Sequence, residues 1–539
     1  MRAAHGVSKV RAAERALMAQ LPPGALMQRA AAGLASVCAG LVGRVNGTRV
    51  VVLAGSGDNG GDALHAAARL ARRGAAVLAV TAGSRVHEEG SAALRAVGGR
   101  LAGPDDSGVA DAITAADLII DGLLGIGGRG GLREPQASLA GLAACSMATV
   151  VATDLPSGVD ADTGVVEGAA VHADVTVTFG TYKPGLLVDP GATYAGVVEL
   201  IDIGLGPHLA SPDLQSLQAA DVGALLPQPP PDSDKYRRGV AGIVAGSDRF
   251  TGAAALAVGG ALRGGAGMVR LVSAQPAVDI VRQLWPEALI TITGGKLAAG
   301  EDVQAAGRVQ AWVAGPGMGT GDEARERLAT VLATDLPVLV DADGLTLLAA
   351  DRGLLSREAP TLLTPHAGEL GRLLGADPRD VEARRLEHTQ RAADELGATV
   401  LLKGSTTVIA SPRRPGARPR TGDLPQEGPP VFANASGTSW LASAGTGDVL
   451  SGLAGSLLAQ GLEAADAAAA AAYLHGLAAR LAASGTAAAP EAAAMGPWRA
   501  SRLDRGAPAG GDAADAPIVA GDVVVALPAA IRFARGRPA

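Results

Sequence analysis

The residues best suited to chemistry stand in NASGTSWLASAGTGDVLSG, residues 434–452, and above all in Ala444-Gly445-Thr446-Gly447-Asp448. Glycines there let the backbone approach a ligand and aim several N–H groups at one point, and the apolar run after Asp448 predicts a helix starting at that point. A helix start is an anion site. An aspartate between such a cradle and a helix can take the proton of a hydroxyl while the cradle holds the charge developing on a transferring phosphoryl group. The plainer reading is a glycine-rich turn with Asp448 as a helix N-cap. Two loops in the same half also suit anions. Gly315-Pro-Gly317-Met-Gly319 brings backbone N–H groups forward, and Lys403-Gly404-Ser405-Thr406-Thr407 offers an ammonium and hydroxyls to phosphate oxygens. His366, in Thr-Pro-His-Ala-Gly-Glu, reads as a ligand, a base or a helix cap.

The first half carries three acidic, glycine-rich stretches. They are Gly55-Ser-Gly-Asp58-Asn59-Gly60-Gly61-Asp62, then Asp121-Gly-Leu-Leu-Gly125-Ile126-Gly127-Gly128-Arg129-Gly130-Gly131, and Asp154-Leu-Pro-Ser157-Gly-Val-Asp160-Ala-Asp-Thr-Gly164. In a plainer reading Asp58, Asn59 and Asp62 only cap a helix. Lys183, in Tyr-Lys-Pro-Gly, reads as a surface turn with a charge contact to a ligand as the second option.

The elements that must position these loops alternate. Helical spacing covers residues 8–20 and 26–41, and a short apolar strand, 49–54, leads into the first loop and a helix at 63–73. A strand at 77–81, a helix at 88–97 and strands at 118–121 and 149–153 follow. Three strands therefore each deliver an acidic residue and a flexible loop at their carboxyl ends, where ligands bind in open α/β sheets. Periodicity fades over residues 204–231, which end in the stiff Pro-Gln-Pro-Pro-Pro, and alternation resumes with strands at 240–245, 268–272, 311–314, 337–341, 362–363 and 399–403. The expectation is two α/β domains, at 1–215 and 235–539, joined by a Pro-rich linker at 216–234. The insertions 411–430 and 483–517, rich in Pro, Ala, Gly or Arg, are expected to be mobile, with a final helix at 519–535.

Composition bounds the function. The 539 residues are 48% hydrophobic and 18% charged with a net charge of −7, which leaves no basic field for nucleic acid. Cys38 and Cys145 lie far apart among small apolar residues, as reduced core thiols do. Charges are scattered through the first residues, and no segment approaches the ~20 apolar residues of a membrane span. A cytoplasmic protein is expected, without nucleic-acid or membrane partners, as a homo-oligomer acting on small molecules. Nearly all cations are Arg; the lysines are only Lys9, Lys183, Lys235, Lys296 and Lys403, and the asparagines Asn46, Asn59 and Asn434. A chain this biased keeps such residues where a compact charge or a paired donor and acceptor is needed.

GSGDNGGD, DGLLGIGGRGG and DLPSGVDADTG together resemble, in order, the three signature loops of the NAD(P)HX epimerase family, the YjeF N-terminal domain, whose fold is a Rossmann-like three-layer αβα sandwich. The resemblance implies a substrate of NAD(P)H hydrated on its nicotinamide ring, with a potassium ion beside it. By position, Asp58 to Asp62 and Gly125 to Gly131 would line the substrate, Asn59, Asp121 and Ser157 would hold potassium, and Asp154 would contact the substrate as general acid/base. Asp58 stands where the family usually has Asn, adding negative charge near a phosphate-rich ligand, and Ala63 where it usually has Gly.

KYRRG, TGAAALAVGGALRGGAGMV, GPGMG, DADGL, TPHAGE, KGSTT and AGTGDVLSG, again in order, resemble the ADP-dependent NAD(P)HX dehydratase family, with its ribokinase-like α/β fold. The resemblance implies that Ala253, Gly317, His366 and Asp448 touch the hydrated nucleotide, that Lys403, Gly404, Ser405, Thr406, Thr407 and Gly447 hold ADP or AMP, and that Mg²⁺ accompanies ADP. Tyr236 departs from a common Gly, and Thr438-Ser439 from a common Asn-Pro. In the implied mechanism Asp448 deprotonates the ring hydroxyl, which attacks the β-phosphate of ADP while Mg²⁺ and the N–H groups of Gly445 to Gly447 stabilise the transferring group. Phosphate then leaves, pushed by the ring nitrogen. Such a site takes one epimer, and the first domain converts the other. Two rival readings are a small-molecule kinase, which would give a phosphorylated product, and a non-catalytic first domain.

Overall fold

The computed structural model describes residues 1–83, 85–294, 297–413, 428–484 and 515–536. They form two compact units, one spanning Ala3–Leu214 and one beginning at Gln215 that also takes Met1–Arg2. Most of the two insertions expected to be mobile lies outside the described residues.

After the short β1 (Arg2–Ala4), the N-terminal unit contains β2 (Arg49–Ala54), β3 (Ala76–Thr81), β4 (Arg100–Ala102), β5 (Leu118–Gly122), β6 (Thr149–Thr153), β7 (Val175–Phe179) and β8 (Val197–Ile201). β2 to β8 form a parallel sheet in the order β4-β3-β2-β5-β6-β7-β8. The unbroken apolar run of β2 follows from burial on both faces. Val50, Val52 and Ala54 enter one core with Leu34, Leu64 and Ala67, while Val51 and Leu53 enter the other with Ile113 and Leu139. Helices Ala25–Val42 and Asp58–Arg72 thus cover one face, and Val109–Thr114 and Gln136–Cys145 the other. Strand order reverses at β2, whose neighbours are β3 and β5, so the crevice for a ligand opens at the carboxyl ends of β2 and β5. Contrary to the sequence expectation, Ala25–Val42 is long and apolar enough to cross a membrane by length and composition; here it lays Ala31, Leu34 and Cys38 into the core.

The C-terminal unit contains β9 (Leu214–Ser216), β10 (Val240–Val244), β11 (Met268–Ser273), β12 (Leu289–Ile292), β13 (Ala311–Ala314), β14 (Val338–Val340), β15 (Thr361–Leu363), β16 (Thr399–Leu402), β17 (Thr407–Ala410) and β18 (Phe432–Asn434). Their order is β9-β18-β17-β16-β15-β14-β13-β10-β11-β12. β10 to β16 are parallel, and β17 turns back antiparallel, as the short Lys403–Thr406 connection requires. The stretch of fading periodicity holds β9, paired with Phe432 of β18, and the helix Ala219–Leu225, whose Asp221 carboxylate accepts from Gln218 N. Order reverses again at β10, between β11 and β13.

Helices Thr251–Arg263 and Thr446–Ala459 pack at the centre of this unit because glycines remove the side chains between them. A Cβ on Gly452 would stand 1.9 Å from the Ala257 carbonyl oxygen, and one on Gly260 2.3 Å from that of Val449. The glycines of TGAAALAVGGALRGGAGMV are therefore largely a packing feature. Helices Ala464–Ala483 and Ala520–Ala534 complete the layer.

Candidate active sites

In the N-terminal unit the helix Asp58–Arg72 starts directly on the first glycine loop, and close backbone contact fixes that start. A Cβ on Gly55 would lie 1.9 Å from Leu123 O, and one on Gly60 2.2 Å from Gly55 O. The end of β5 and the loop after β6 then meet through Asp121 and Ser157, both buried. Ser157 N and Oγ donate to the two Asp121 carboxylate oxygens at 2.9 and 2.7 Å, and Leu123 N donates to Oδ1 at 3.1 Å. Burial pushes the Asp121 carboxyl up to about 6, with these hydrogen bonds opposing. Ser157 Oγ lies 3.0 Å from Leu124 O, and Asn59 Nδ2 donates to the same carbonyl at 2.9 Å. Asn59 and Ser157 thus share the Leu124 carbonyl, and Ser157 ties Asp121 to them. Gly125 borders them: its Cβ would come 3.1 Å from that of Asn59.

Asp154 follows β6 with φ 64°, in the left-handed region that costs a non-glycine residue energy. Its Oδ1 accepts from Phe179 N and Thr178 Oγ1, both at 3.1 Å, and from Lys183 Nζ at 2.5 Å. Lys183 is only 1% exposed and also reaches Thr178 Oγ1 and Phe179 O. The surface-turn reading of Lys183 is therefore wrong: Pro184 and Gly185 do turn, but they turn the lysine inward. Asp154 Oδ2 takes no hydrogen bond among the described residues. Asp62 faces this group with Oδ1 unpartnered, and burial, then the charges of Asp154, Asp58 and Glu14, hold it well above the usual carboxylate range. Glu14, on the helix Val7–Met18, is raised by burial and by Asp154.

In the C-terminal unit the loops at the β10 reversal meet at Gly317 and Ala253. Gly317 has φ 58°, and a Cβ on it would fall 2.8 Å from Ala253 Cβ and 2.7 Å from Phe250 Cβ. A second cluster lies at the start of Thr446–Ala459. Lys403 Nζ donates to Asp341 Oδ1 at 2.8 Å and sits 3.8 Å from Glu369 Oε2, while Ser451 Oγ donates to Asp341 Oδ2 at 2.6 Å. A Cβ on Gly447 would be 3.5 Å from Lys403 Nζ, so the ammonium faces the helix start. Burial works against the Lys403 charge, but Asp341, Glu369 and Asp448 together raise its pKa. Asp448, in the first helical turn, accepts no hydrogen bond among the described residues. Burial first, then the Asp341 charge, pushes its carboxyl up to about 7, with Lys403 pulling the other way. That places a base at the pH where a hydroxyl proton is best taken. The helix start is pinned by His475, buried and lowered to about 4 by desolvation, which meets Thr446 O at 2.9 Å and is neutral there.

His366 caps the helix Ala367–Leu374: Nδ1 accepts from Gly368 N at 3.0 Å, and Glu369 Oε2 accepts from His366 N at 2.8 Å. Its side chain is 57% exposed, and Nε2 lies 3.6 Å from Glu369 Oε1, so a ligand would meet the ring beside that carboxylate. Gly404 lies against the Arg385 guanidinium, which donates to Lys403 O at 2.8 Å and Thr406 O at 3.0 Å. Ser405 and Gly404 are exposed, Thr407 half-buried and Thr406 buried.

Residues 23–185 match the family described as YjeF-related protein N-terminus, and residues 241–495 match NAD(P)H-hydrate dehydratase. The bifunctional NAD(P)H-hydrate repair enzyme Nnr of Mycobacterium leprae is 48% identical over 87% of this chain and 91% of its own length. Its counterpart in Corynebacterium glutamicum is 35% identical over 85% and 88%. The chain belongs to the bifunctional NAD(P)H-hydrate repair enzymes. It is an NAD(P)H-hydrate epimerase joined to an ADP-dependent NAD(P)H-hydrate dehydratase, and it restores NAD(P)H from the hydrate. Among solved structures, the ADP/ATP-dependent NAD(P)H-hydrate dehydratase of Bacillus subtilis, co-crystallised with ATP and Mg²⁺, is 29% identical, covering 49% of this chain and 88% of that one with a TM-score of 0.41.

Within this repair enzyme, three polar groups were not singled out from the sequence and a fourth, Lys183, was turned the wrong way. Lys183 was hidden by its turn signal. Arg385 sits in an ordinary helical run, and Ser451, though inside AGTGDVLSG, is set by Asp341, 110 residues away in sequence. Glu14 belongs to a helix whose spacing was legible but whose facing was not.

Proposed function

We propose that the two activities are divided between the two carboxylates set apart by their surroundings, Asp154 and Asp448. In the epimerase unit Lys183 and Thr178 fix Asp154 Oδ1, which leaves Oδ2 to act as the general acid/base when the bond broken at the hydroxyl-bearing carbon re-forms on the opposite face. Gly125 to Gly131 and Asp58 to Asp62 form the walls around the dinucleotide. Asn59, Asp121 and Ser157 suit a hard monovalent cation: they are oxygen-bearing, and the buried Asp121 charge calls for a counter-ion. Potassium there would hold the second and third loops in register.

In the dehydratase unit Ala253, Gly317 and the exposed His366 imidazole receive the (S)-hydrate, and Lys403 to Thr407 with Gly447 receive the adenine nucleotide. Asp448 takes the ring hydroxyl proton, and the oxygen attacks the β-phosphorus of ADP, releasing AMP. The N–H groups at Gly445 to Gly447, at the positive end of a helix, stabilise the charge on the transferring group. Phosphate departs with the ring-nitrogen electron pair behind it, and loss of a proton from the neighbouring ring carbon then leaves NAD(P)H. Mg²⁺ would arrive largely on the nucleotide, with Asp341, Asp343 and Asp448 as the neighbouring carboxylates, and would neutralise phosphate charge.

The observation that carries the reading is the Asp448 carboxyl, raised to about 7 at a helix start beside Lys403. Asp448→Asn and Asp154→Ala test it. The first should lose ADP-dependent dehydration of the S epimer and keep epimerisation, and the second the reverse. Wild-type dehydration by Asp448→Asn, or wild-type epimerisation by Asp154→Ala, removes the corresponding role.

A further inference from the structure

The helix Val7–Met18 precedes residues 23–185, the part of the chain that matches the epimerase family, and of its residues only Glu14 has been placed at the site above. It is nonetheless built onto the signature loops. Val7 N donates at 2.7 Å to Asp162 Oδ1, inside DLPSGVDADTG, and Gly6 N at 2.8 Å to Asp213 Oδ2. Lys9 Nζ holds Asp213 Oδ1 at 2.6 Å, and His5 Nδ1 meets Thr181 Oγ1 at 2.7 Å, two residues before Lys183. These ties fix the rotation of the helix about its axis. One face then presents Arg11 to the second glycine loop: a Cβ on Gly127 would lie 3.0 Å from Arg11 Nη2. Arg11 makes no ion pair within 4.0 Å of a carboxylate among the described residues, though its charge acts on Glu14 of the same helix.

The charge balance around it matters. Asp58, Asp62, Asp154 and Glu14 interact with one another, and Lys183 is committed to Asp154. A dinucleotide brings at least its two pyrophosphate charges into this acidic setting, and needs a cation with open donors. Arginine offers a planar fork of N–H groups suited to phosphate oxygens, and its charge does not titrate away.

We propose that Arg11 is a phosphate-binding residue of the epimerase site, carried by an N-terminal helix that forms one wall of that site. The proposal rests on the reading that Gly125 to Gly131 hold the substrate. The phosphate is either the pyrophosphate shared by both substrates or the 2′-phosphate of NADPHX.

The experiment measures epimerisation kinetics of the full chain with NADHX and with NADPHX. Arg11→Ala should raise KM roughly tenfold or more, the scale of one charge-assisted hydrogen bond. kcat should change much less, Arg11→Lys should restore part of the loss, and ADP-dependent dehydration of the S epimer by the same chain should be untouched. Arg15→Ala, on the same helix, is the control. A rise with both substrates assigns the pyrophosphate, and a rise with NADPHX alone the 2′-phosphate. An unchanged KM for both, or a rise no larger than in Arg15→Ala, overturns the proposal. Gly127→Phe separates the two levels: if it raises KM while Arg11→Ala does not, only the arginine contact fails. If neither raises KM, the substrate does not lie on that loop.

Discussion

Replacing Asp448 by Asn should make the dehydratase slower and its fold more stable, in amounts that follow from the same electrostatics. The carboxyl is raised from 3.8 to about 7, chiefly by burial and by Asp341. At about 1.4 kcal/mol per pKa unit, keeping it ionised in the folded chain costs on the order of 4 kcal/mol relative to the unfolded chain. The sign follows from proton binding. Between pH 3.8 and about 7 the folded state holds the proton and the unfolded state does not, so this group lowers stability as pH rises, fully so above about 7. Asparagine keeps the shape and removes the charge. Asp448→Asn should therefore melt several degrees above wild type at pH 8, and the gap should close towards pH 4. Dehydration should fall by roughly 10²–10⁴-fold, the range of a lost general base, with KM for ADP little changed. In wild type the rate should climb through a pKa near 7. Calorimetry across pH and steady-state kinetics on the S epimer check both halves. A variant that is less stable at pH 8, or a wild-type rate flat from pH 6 to 8, would refute the account of Asp448 as a destabilised base.

Three other outcomes follow. Lys183→Met should abolish epimerisation, spare dehydration and destabilise the N-terminal unit by roughly 3–5 kcal/mol, because a buried pair loses one partner; adding Asp154→Leu should recover stability in thermal melts but not activity. Gly452→Ala places a methyl against the Ala257 carbonyl and should cost about 1–3 kcal/mol, read as a lower melting temperature of the C-terminal unit. Exchanging potassium for a bulky organic cation should slow epimerisation and leave ADP-dependent dehydration of the S epimer unchanged, and Asp121→Asn should reproduce that selective loss.

Much of the scaffold was legible because buried parallel strands announce themselves locally. VVVLA and LIIDG are apolar without alternation, and each ends in a glycine-rich loop. The segment from Leu214 to Leu225 was harder, because β9 is a three-residue strand whose pairing depends on Phe432, more than two hundred residues away. The same distinction runs through the sites. Asp154 and Asp448 could be singled out from the glycines beside them. Lys183 could not, since Lys-Pro-Gly signals a turn whichever way the side chain points, and its inward direction depends on Asp154 at the end of another strand. The glycines of the helix Thr251–Arg263 resembled a ligand motif, yet Gly260 is required by the backbone of a neighbouring helix. His366 combines two readings, since one ring nitrogen caps a helix while the other lies 3.6 Å from Glu369 Oε1 on a largely exposed side chain.

The most direct test adds the purified chain, with ADP, Mg²⁺ and K⁺, to an equal mixture of the R and S hydrates and follows the near-ultraviolet absorbance of reduced nicotinamide. Recovery of both fractions as NAD(P)H, with one AMP and one phosphate per molecule repaired, is the predicted result. Recovery that stops at the S fraction would contradict a working epimerase in the N-terminal unit, and no recovery with a phosphorylated product accumulating would contradict the dehydratase chemistry assigned to Asp448.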